Sequence, residues 1–268
     1  MTLFADVVAT ADSVAATTKR NDKKAALADL FSGLDPAEAD VVVGEARQGR
    51  IGAGWRTIRD LDVAPAADAT LTVADVDRAI DELQATTGTG SQAARRRLLE
   101  DLFGRATAAE ADLLGRLFVG EMRTGALAGV VTDAVAVASG VKLATVRRAA
   151  MLAGDLGTVA CLALSGGEEA LAGVGLQPLR PVLPMLASTS ESVAGALEEV
   201  GTASVEWKLD GARIQVHRDG QSVRVFTRNL NDVTDRLPEV VAVARSYPAT
   251  SFVLDGEVLG FMGPDQDP

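Results

Sequence analysis

The chain is almost without cysteine and histidine. Cys161 is the only cysteine, so no disulfide can form within the chain, which suits a reducing, cytoplasmic setting. It lies in the apolar run Val159-Ala160-Cys161-Leu162, the setting of a buried structural thiol rather than a nucleophile. His217 is the only histidine, and beside a hairpin turn it is expected at the surface. No zinc-spaced set, Cys–His pair or Ser-His-Asp set is present. No run of 18 apolar residues occurs, so no membrane span is expected. Met1 to Val14 carries acids and no basic segment, unlike a secretory signal. Internal repeats and low-complexity tracts are absent as well.

Positive charge is in deficit. Lys and Arg number 26 against 37 Asp and Glu, for a net charge of −11. The sum argues against a nucleic-acid partner, because phosphate contacts need basic side chains. Position matters more than the sum, however. The bases cluster: Lys19, Arg20, Lys23 and Lys24; Arg47, Arg50, Arg56 and Arg59; Arg95, Arg96 and Arg97; Arg147 and Arg148. Each cluster alone reads as a solvated helix face, yet an acidic chain can still hold DNA on one basic face.

What remains is globular in composition. Of 268 residues, 47% are hydrophobic and 24% charged, enough for two domains and a sizeable core. Residues 1–178 read as nearly all helix. Leu3, Val7, Val8 and Val14 recur at helical spacing. Asn21 is the expected cap of a helix from Lys23 to Phe31, closed by Ser32-Gly33. Asp35-Pro36 opens another. Thr72-Val73-Ala74-Asp75 and Thr107-Ala108-Ala109-Glu110 are capping boxes. Gly49 to Gly54 reads as a flexible connection carrying Arg50. Gly88-Thr89-Gly90 follows a helix (Val76 to Leu83), not a strand, so it is no dinucleotide loop. Ser91 is expected to cap the helix that carries Arg95 to Arg97, whose exposed amides would suit a phosphate. Gly166-Gly167 and Gly173 to Gly175 mark loops.

Residues 179–187 form a Pro-rich linker. Pro178, Pro181 and Pro184 fall within seven residues and rule out helix there. Residues 188–268 change character. After a short helix from Ser190 to Val200, strand patterns take over. Val205, Trp207 and Leu209 alternate with Glu206, Lys208 and Asp210, the period-2 mark of a half-buried strand. Its polar side chains would share one face, spaced about 6.5–7 Å, with the apolar ones packed behind. Gly211 would let the backbone approach a neighbour. Ala212 to Arg218 alternates again, Asp219-Gly220 signals a hairpin, and Val223 to Arg228 returns with Arg224, Phe226 and Arg228 on one face. Thr234 to Ser246 reads as one helix. Ser251 to Leu259 reads as a buried strand with Asp255 and Glu257 on one face.

The polar line suits covalent catalysis by lysine. A free lysine is protonated at neutral pH, and nearby cations or loss of water make it a nucleophile. By pattern alone, a solvated strand with a salt-bridged lysine is an equal reading.

The surroundings shift that balance. Lys208, Asp210, Gly211 and Arg213 fill the Lys-x-Asp-Gly-x-Arg pattern of the covalent nucleotidyltransferases: ATP-dependent DNA ligases, RNA ligases and mRNA capping enzymes. Thr227-Arg228-Asn229 resembles a second motif of that family, and Phe252-Val253-Leu254-Asp255-Gly256-Glu257 a third, in the family's order. Pro181 to Ala187 resembles the stretch before the first motif in DNA ligases. Gly120-Glu121-Met122-Arg123-Thr124-Gly125, and the helical layout of residues 1–178, resemble their DNA-binding domain.

The resemblance implies a multidomain fold. An all-α N-terminal DNA-binding domain precedes the start of an α+β nucleotidyltransferase (adenylation) domain of ATP-grasp-like type. It also implies roles: Lys208 becomes lysyl-AMP; Glu206 meets the adenine; Arg213 and Arg228 hold ribose, phosphates or the 5′ end of a nick; Glu257 takes a ribose hydroxyl or helps hold metal; Asp210 serves geometry or metal. ATP and Mg²⁺ are the implied cofactors. The implied partner is nicked double-stranded DNA, bound by a cytoplasmic monomer with no membrane, in DNA repair, replication or recombination. The family's later motifs and C-terminal OB-fold domain do not follow Glu257, and Gly263 to Pro268 reads as loop. The expectation is therefore a piece of a longer protein, weak or inactive alone. An RNA ligase or capping-type enzyme, or a non-catalytic DNA-binding fragment, are the alternatives. The long helical region counts against the first two.

Overall fold

The computed structural model describes residues 1–43, 55–119, 128–185 and 187–260. Arg47, Arg50, the glycine loop at 49–54, the turn at 120–125, Leu186 and the end at 263–268 lie outside the described residues. The chain divides into two compact units. One is Met1–Ala150 with Asp155–Val174; the other is Met151–Gly154 with the chain from Gly175 onward. The described residues are rich in helix and carry one small sheet.

Among the described residues, ten helices precede Gly173: α1 (Phe4–Ala15), α2 (Arg20–Gly33), α3 (Pro36–Val43), α4 (Trp55–Arg59), α5 (Val73–Ala85), α6 (Ser91–Arg105), α7 (Ala108–Val119), α8 (Ala128–Ser139), α9 (Leu143–Ala153) and α10 (Leu156–Ala172). Local chemistry sets several of their ends. Thr72 accepts from the Asp75 amide while the Asp75 carboxylate accepts from the Thr72 amide, a complete capping box. Thr107 and Glu110 repeat it at α7. Asp35 accepts from the Ala37 amide ahead of α3. Phe4, Val8, Ile80, Leu83, Leu99, Phe103, Leu114 and Phe118 meet in one core shared by α1, α5, α6 and α7. Elsewhere in the helical unit, α2 lies against α8 and α3 against α10. Cys161 is half-buried, and burial pushes its thiol up, which keeps it protonated.

Three expectations fail here, each for a local reason. The second helix starts at Arg20, not after an Asn21 cap, because the Lys23 amide already donates to the Lys19 carbonyl. Ser91 is the first residue of α6 rather than its cap; Gly90 holds the cap position at φ +81°, a backbone that favours glycine. Gly166-Gly167 does not end a helix. Gly167 at φ +59° kinks α10, and helix resumes beyond it.

The second unit contains α11 (Val193–Val200), β1 (Ala212–Asp219), β2 (Ser222–Thr227), α12 (Pro238–Ser246) and β3 (Ser251–Val258). The sheet is antiparallel with order β2-β1-β3, and Val216 pairs with both Val225 and Leu254. Gly220 turns the β1–β2 hairpin at φ +58°. Ile214, Val216, Val223 and Val225 form one apolar face, covered by Ala244, Val240 and Val241 of α12. Arg218 is buried beneath the end of that helix. It donates to the carbonyls of Ala244 (3.1 Å), Arg245 (3.2 Å), Tyr247 (2.9 Å) and Gly220 (3.0 Å). A cation thus satisfies carbonyls that the helix end leaves unpaired.

The sheet unit departs further from expectation. Residues 205–209 are not a strand, and Val205 and Trp207 are 87% and 94% exposed rather than packed behind a polar face. Alternation states which side chains share a face; it supplies no partner strand, and none is described beside this segment. The helix expected from Thr234 to Ser246 is split. A 3-10 turn covers Thr234–Arg236, and α12 begins at Pro238. Leu237 precedes that proline and is driven out of helical backbone (φ −129°, ψ 57°). The third strand is present but largely exposed, since it lies at the end of the described sheet order. His217, expected at the surface, is 0% exposed. It stands on the central strand, with its ring edge-on to Phe226 at 5.1 Å between centroids.

Candidate active site

The candidate site is built on β1 and β3. Arg213 pairs in register with Glu257, and Gln215 with Asp255, so these four side chains share one face of the sheet. The Arg213 guanidinium forks onto Asp255, with Nε to Oδ1 at 3.0 Å and Nη2 to Oδ2 at 2.7 Å. Its Nη1 also donates to the Met185 carbonyl at 3.3 Å. The hydrogen bond and charge of Arg213 hold the Asp255 carboxyl below its usual range, and Asp255 in turn raises Arg213.

Gly211 makes the corner before β1. Its amide donates to Glu257 Oε1 at 3.1 Å. A side chain at this position would run into the Val258 carbonyl and the Leu259 side chain. Glycine therefore permits the close approach expected of it, and the neighbour is β3. Lys208 and Asp210 project before this corner, fully in solvent, with Nζ and Oδ1 3.8 Å apart. Glu206 is exposed, and its Oε1 accepts from the Ser204 hydroxyl at 2.9 Å. Arg228 is exposed in the turn just past the Ile214–Thr227 pair.

The structure thus bonds Glu257 to the Gly211 backbone and sets Arg213 opposite Glu257 in register. Lys208, Asp210 and Glu206 stand on the segment leading into them, and Arg228 stands where β2 ends beside β1. Sequence reading placed Asp255 beside Glu257 but did not pair it with Arg213; opposite charges two residues from the family's positions were the available signal. It also passed over Gln215, which the alternation of β1 puts on the same face as Arg213.

Among the described residues no group of three metal-ligating side chains forms. Asp255 is taken by arginine, and Glu257 keeps Oε2 after binding the Gly211 amide. One carboxylate oxygen fits Mg²⁺, which usually takes one or two protein carboxylates and completes its shell with phosphate and water.

The basic clusters of the helical unit are partly occupied. Arg20 and Arg147 both reach Asp133, at 2.7 and 3.0 Å, and hold its carboxyl below the usual range despite burial. Arg96 pairs with Glu100 at 2.8 Å and Arg59 with Asp60 at 3.1 Å. Arg56, Arg95 and Arg96 line one depression with Ser91 and Gln92 at the start of α6.

Comparison with known proteins bears on both units. The family model described as DNA ligase N terminus matches residues 56–136, and that described as ATP dependent DNA ligase domain matches residues 184–267. The second range contains Glu206, Lys208, Arg213, Arg228 and Glu257. A probable DNA ligase of Pseudarthrobacter chlorophenolicus is 53% identical over 270 residues, covering 99% of this chain and 53% of the relative. One from Rhodococcus opacus is 50% identical, covering 96% and 52%. One from Streptomyces griseus subsp. griseus is 48% identical, covering 99% and 52%. The chain spans about half the length of the curated relatives it matches. Two ligase models match in order, and identity to probable DNA ligases is near one half along nearly all of the chain, so both units resemble ATP-dependent DNA ligases.

Proposed function

We propose that the protein is an ATP-dependent DNA ligase whose Lys208 carries AMP to a nick in duplex DNA. The observation that carries this reading is the corner at Gly211. It ties the segment bearing Lys208 to Glu257 through one amide hydrogen bond, beside an Arg213 held by Asp255. Lys208 thereby precedes, by three residues, the glycine that bonds Glu257, and Arg213 follows two residues beyond it at one end of the small sheet. The helical region at 1–178 is the DNA-binding domain in this reading, 179–187 the linker, and 188–268 part of the adenylation domain.

The chemistry follows from the groups. Lys208 Nζ, once deprotonated, attacks the α-phosphorus of ATP; the N–P bond forms as the P–O bond to pyrophosphate breaks. Arg213 and Arg228 fork onto phosphate oxygens, and Glu206 accepts from the adenine amino group. Glu257 accepts from a ribose hydroxyl or would hold Mg²⁺, which when bound would supply positive charge beside the pyrophosphate. The lysyl phosphoramidate then yields AMP to the 5′-phosphate of the nick. Attack by the 3′-hydroxyl expels AMP and closes the strand.

The test is transfer of label from ATP radioactive at the α-phosphate, with Mg²⁺, to the protein. Wild type should become labelled and Lys208→Ala should not. Adding nicked DNA, but not nicked RNA, should discharge the label as AMP–DNA. Equal label on wild type and Lys208→Ala would sink the reading, as would absence of label both from this chain and from a longer protein that carries it.

A further inference from the structure

Gln215 is a buried amide that holds a strap of backbone. Its Oε1 accepts from the Val182 amide at 2.9 Å, and its Nε2 donates to the Val182 carbonyl. One side chain thus closes both backbone groups of one linker residue, as a neighbouring strand would. Two residues before it, Arg213 donates to the Met185 carbonyl at 3.3 Å. Alternate side chains of β1 therefore clasp the strap at two points, and Arg213 is fixed between Asp255 and Met185.

His217, two residues on, sets the direction of that amide. Its Nε2 lies 3.2 Å from Gln215 Oε1, while its Nδ1 is buried without a hydrogen-bond partner among the described residues. Because Oε1 is an acceptor, the facing Nε2 must carry the proton, which leaves Nδ1 as a bare lone pair. Turned over, the Gln215 amide would set N–H against N–H and oxygen against oxygen at Val182, and would present N–H to N–H at His217. Burial keeps the imidazole below the ordinary histidine range and so neutral at pH 7.

We propose that Gln215 and His217 are positioning residues for nucleotide transfer: His217, as the Nε2–H tautomer, locks the Gln215 amide, which pins the 182–185 strap, whose Met185 carbonyl and Asp255 together orient Arg213 toward the nucleotide phosphates. This rests on the function proposed above.

The test has two arms. The ring of the sole histidine is labelled with ¹⁵N, so its signals need no further assignment. The neutral Nε2–H form at pH 7 is expected; the Nδ1–H form or the cation would overturn the proposal. The second arm measures KM and kcat for ATP in self-adenylation for wild type, His217→Gln and His217→Phe. Glutamine puts an N–H donor at the reach of Nε2; phenylalanine keeps the ring and removes the donor. His217→Phe should raise KM roughly three- to tenfold, the worth of one buried hydrogen bond, with kcat little changed. His217→Gln should restore KM to near wild type. Equal KM in all three, or an equal rise in both variants, defeats the positioning role while the ligase reading stands. Absence of label on wild type, both in this chain and in a longer protein that carries it, instead removes the ligase reading, and the functional part of this proposal with it. Should His217→Phe fail to fold, the tautomer on wild type still decides.

Discussion

The two units of the chain differ in how polarity relates to burial. In the helical unit, Phe31, Ile80, Leu83, Leu114 and Phe118 are buried, and arginines such as Arg20, Arg59 and Arg96 face water with a carboxylate alongside. In the sheet unit, Gln215, His217 and Arg218 are buried, while Val193, Val200, Val205 and Trp207 are exposed. The first unit is held by apolar burial, a term that scales with area and needs no particular partner. The second depends on directed bonds from a few polar side chains to backbone. Such bonds contribute modestly when made and cost heavily when one partner is lost.

Arg218 is the place to break that contrast. Its donors satisfy carbonyls at the end of α12 and at the hairpin turn. Methionine at this position keeps most of the volume and supplies no donor. Arg218→Met should destabilise the sheet unit by about 3 kcal/mol, read from urea unfolding followed by backbone amide signals of β1 and α12. A loss under about 1 kcal/mol would mean that the apolar face of the sheet holds the unit by itself.

A smaller effect comes from pH. The folded-state pKa of His217 lies below the free value of 6.5, because burial opposes the charged ring. Its cross-strand partner Arg224 is already paired with Asp232. The unfolded chain therefore takes up a proton near pH 6.5 that the folded chain refuses. Stability from this group is complete above 6.5 and is lost as pH falls below it, at no more than about 1.4 kcal/mol per pH unit. Between pH 6.5 and 5 no other side-chain type has its ordinary pKa, so His217→Gln should flatten the slope of unfolding free energy there. An unchanged slope in the variant would move the origin elsewhere. Lower still, Asp232 is held at about 2, against a free value of 3.8, by its hydrogen bonds to Thr234 and its pairing with Arg224, so its contribution is whole above 3.8 and is lost as pH falls from there to about 2.

Legibility in the sequence follows the same divide. The boxes at Thr72–Asp75 and Thr107–Glu110 were readable because each is a four-residue event, complete within its own segment. β1 and its hairpin were readable from alternation and Asp219-Gly220, and the family pattern singles out Lys208, Arg213 and Glu257 as the residues to test. The burial of His217, the grip of Gln215 on Val182 and the seat of Arg218 were not. Each depends on a backbone group 26 to 33 residues away or on a cross-strand ring, and no periodicity encodes that distance. Alternation misled at Val205 to Leu209 for the same reason: it fixes faces and is silent about partners.

The smallest effect sharpens the comparison most. Thr72→Ala removes the hydroxyl that accepts from the Asp75 amide and frees the Asp75 carboxylate from one of its bonds. Asp75 sits below the usual carboxyl range chiefly through Thr72, with Arg105 adding its charge, so the loss is partly buffered by that arginine. A cap of this kind is worth about 1 kcal/mol, and urea unfolding followed on α5 amides should show a loss of that size. The box most visible in the sequence would then stabilise its unit about a third as much as Arg218, which no local pattern marks. If Thr72→Ala instead cost as much as Arg218→Met, the helical unit would also hang on directed bonds. The contrast between a unit held by area and a unit held by polar contacts would then fail.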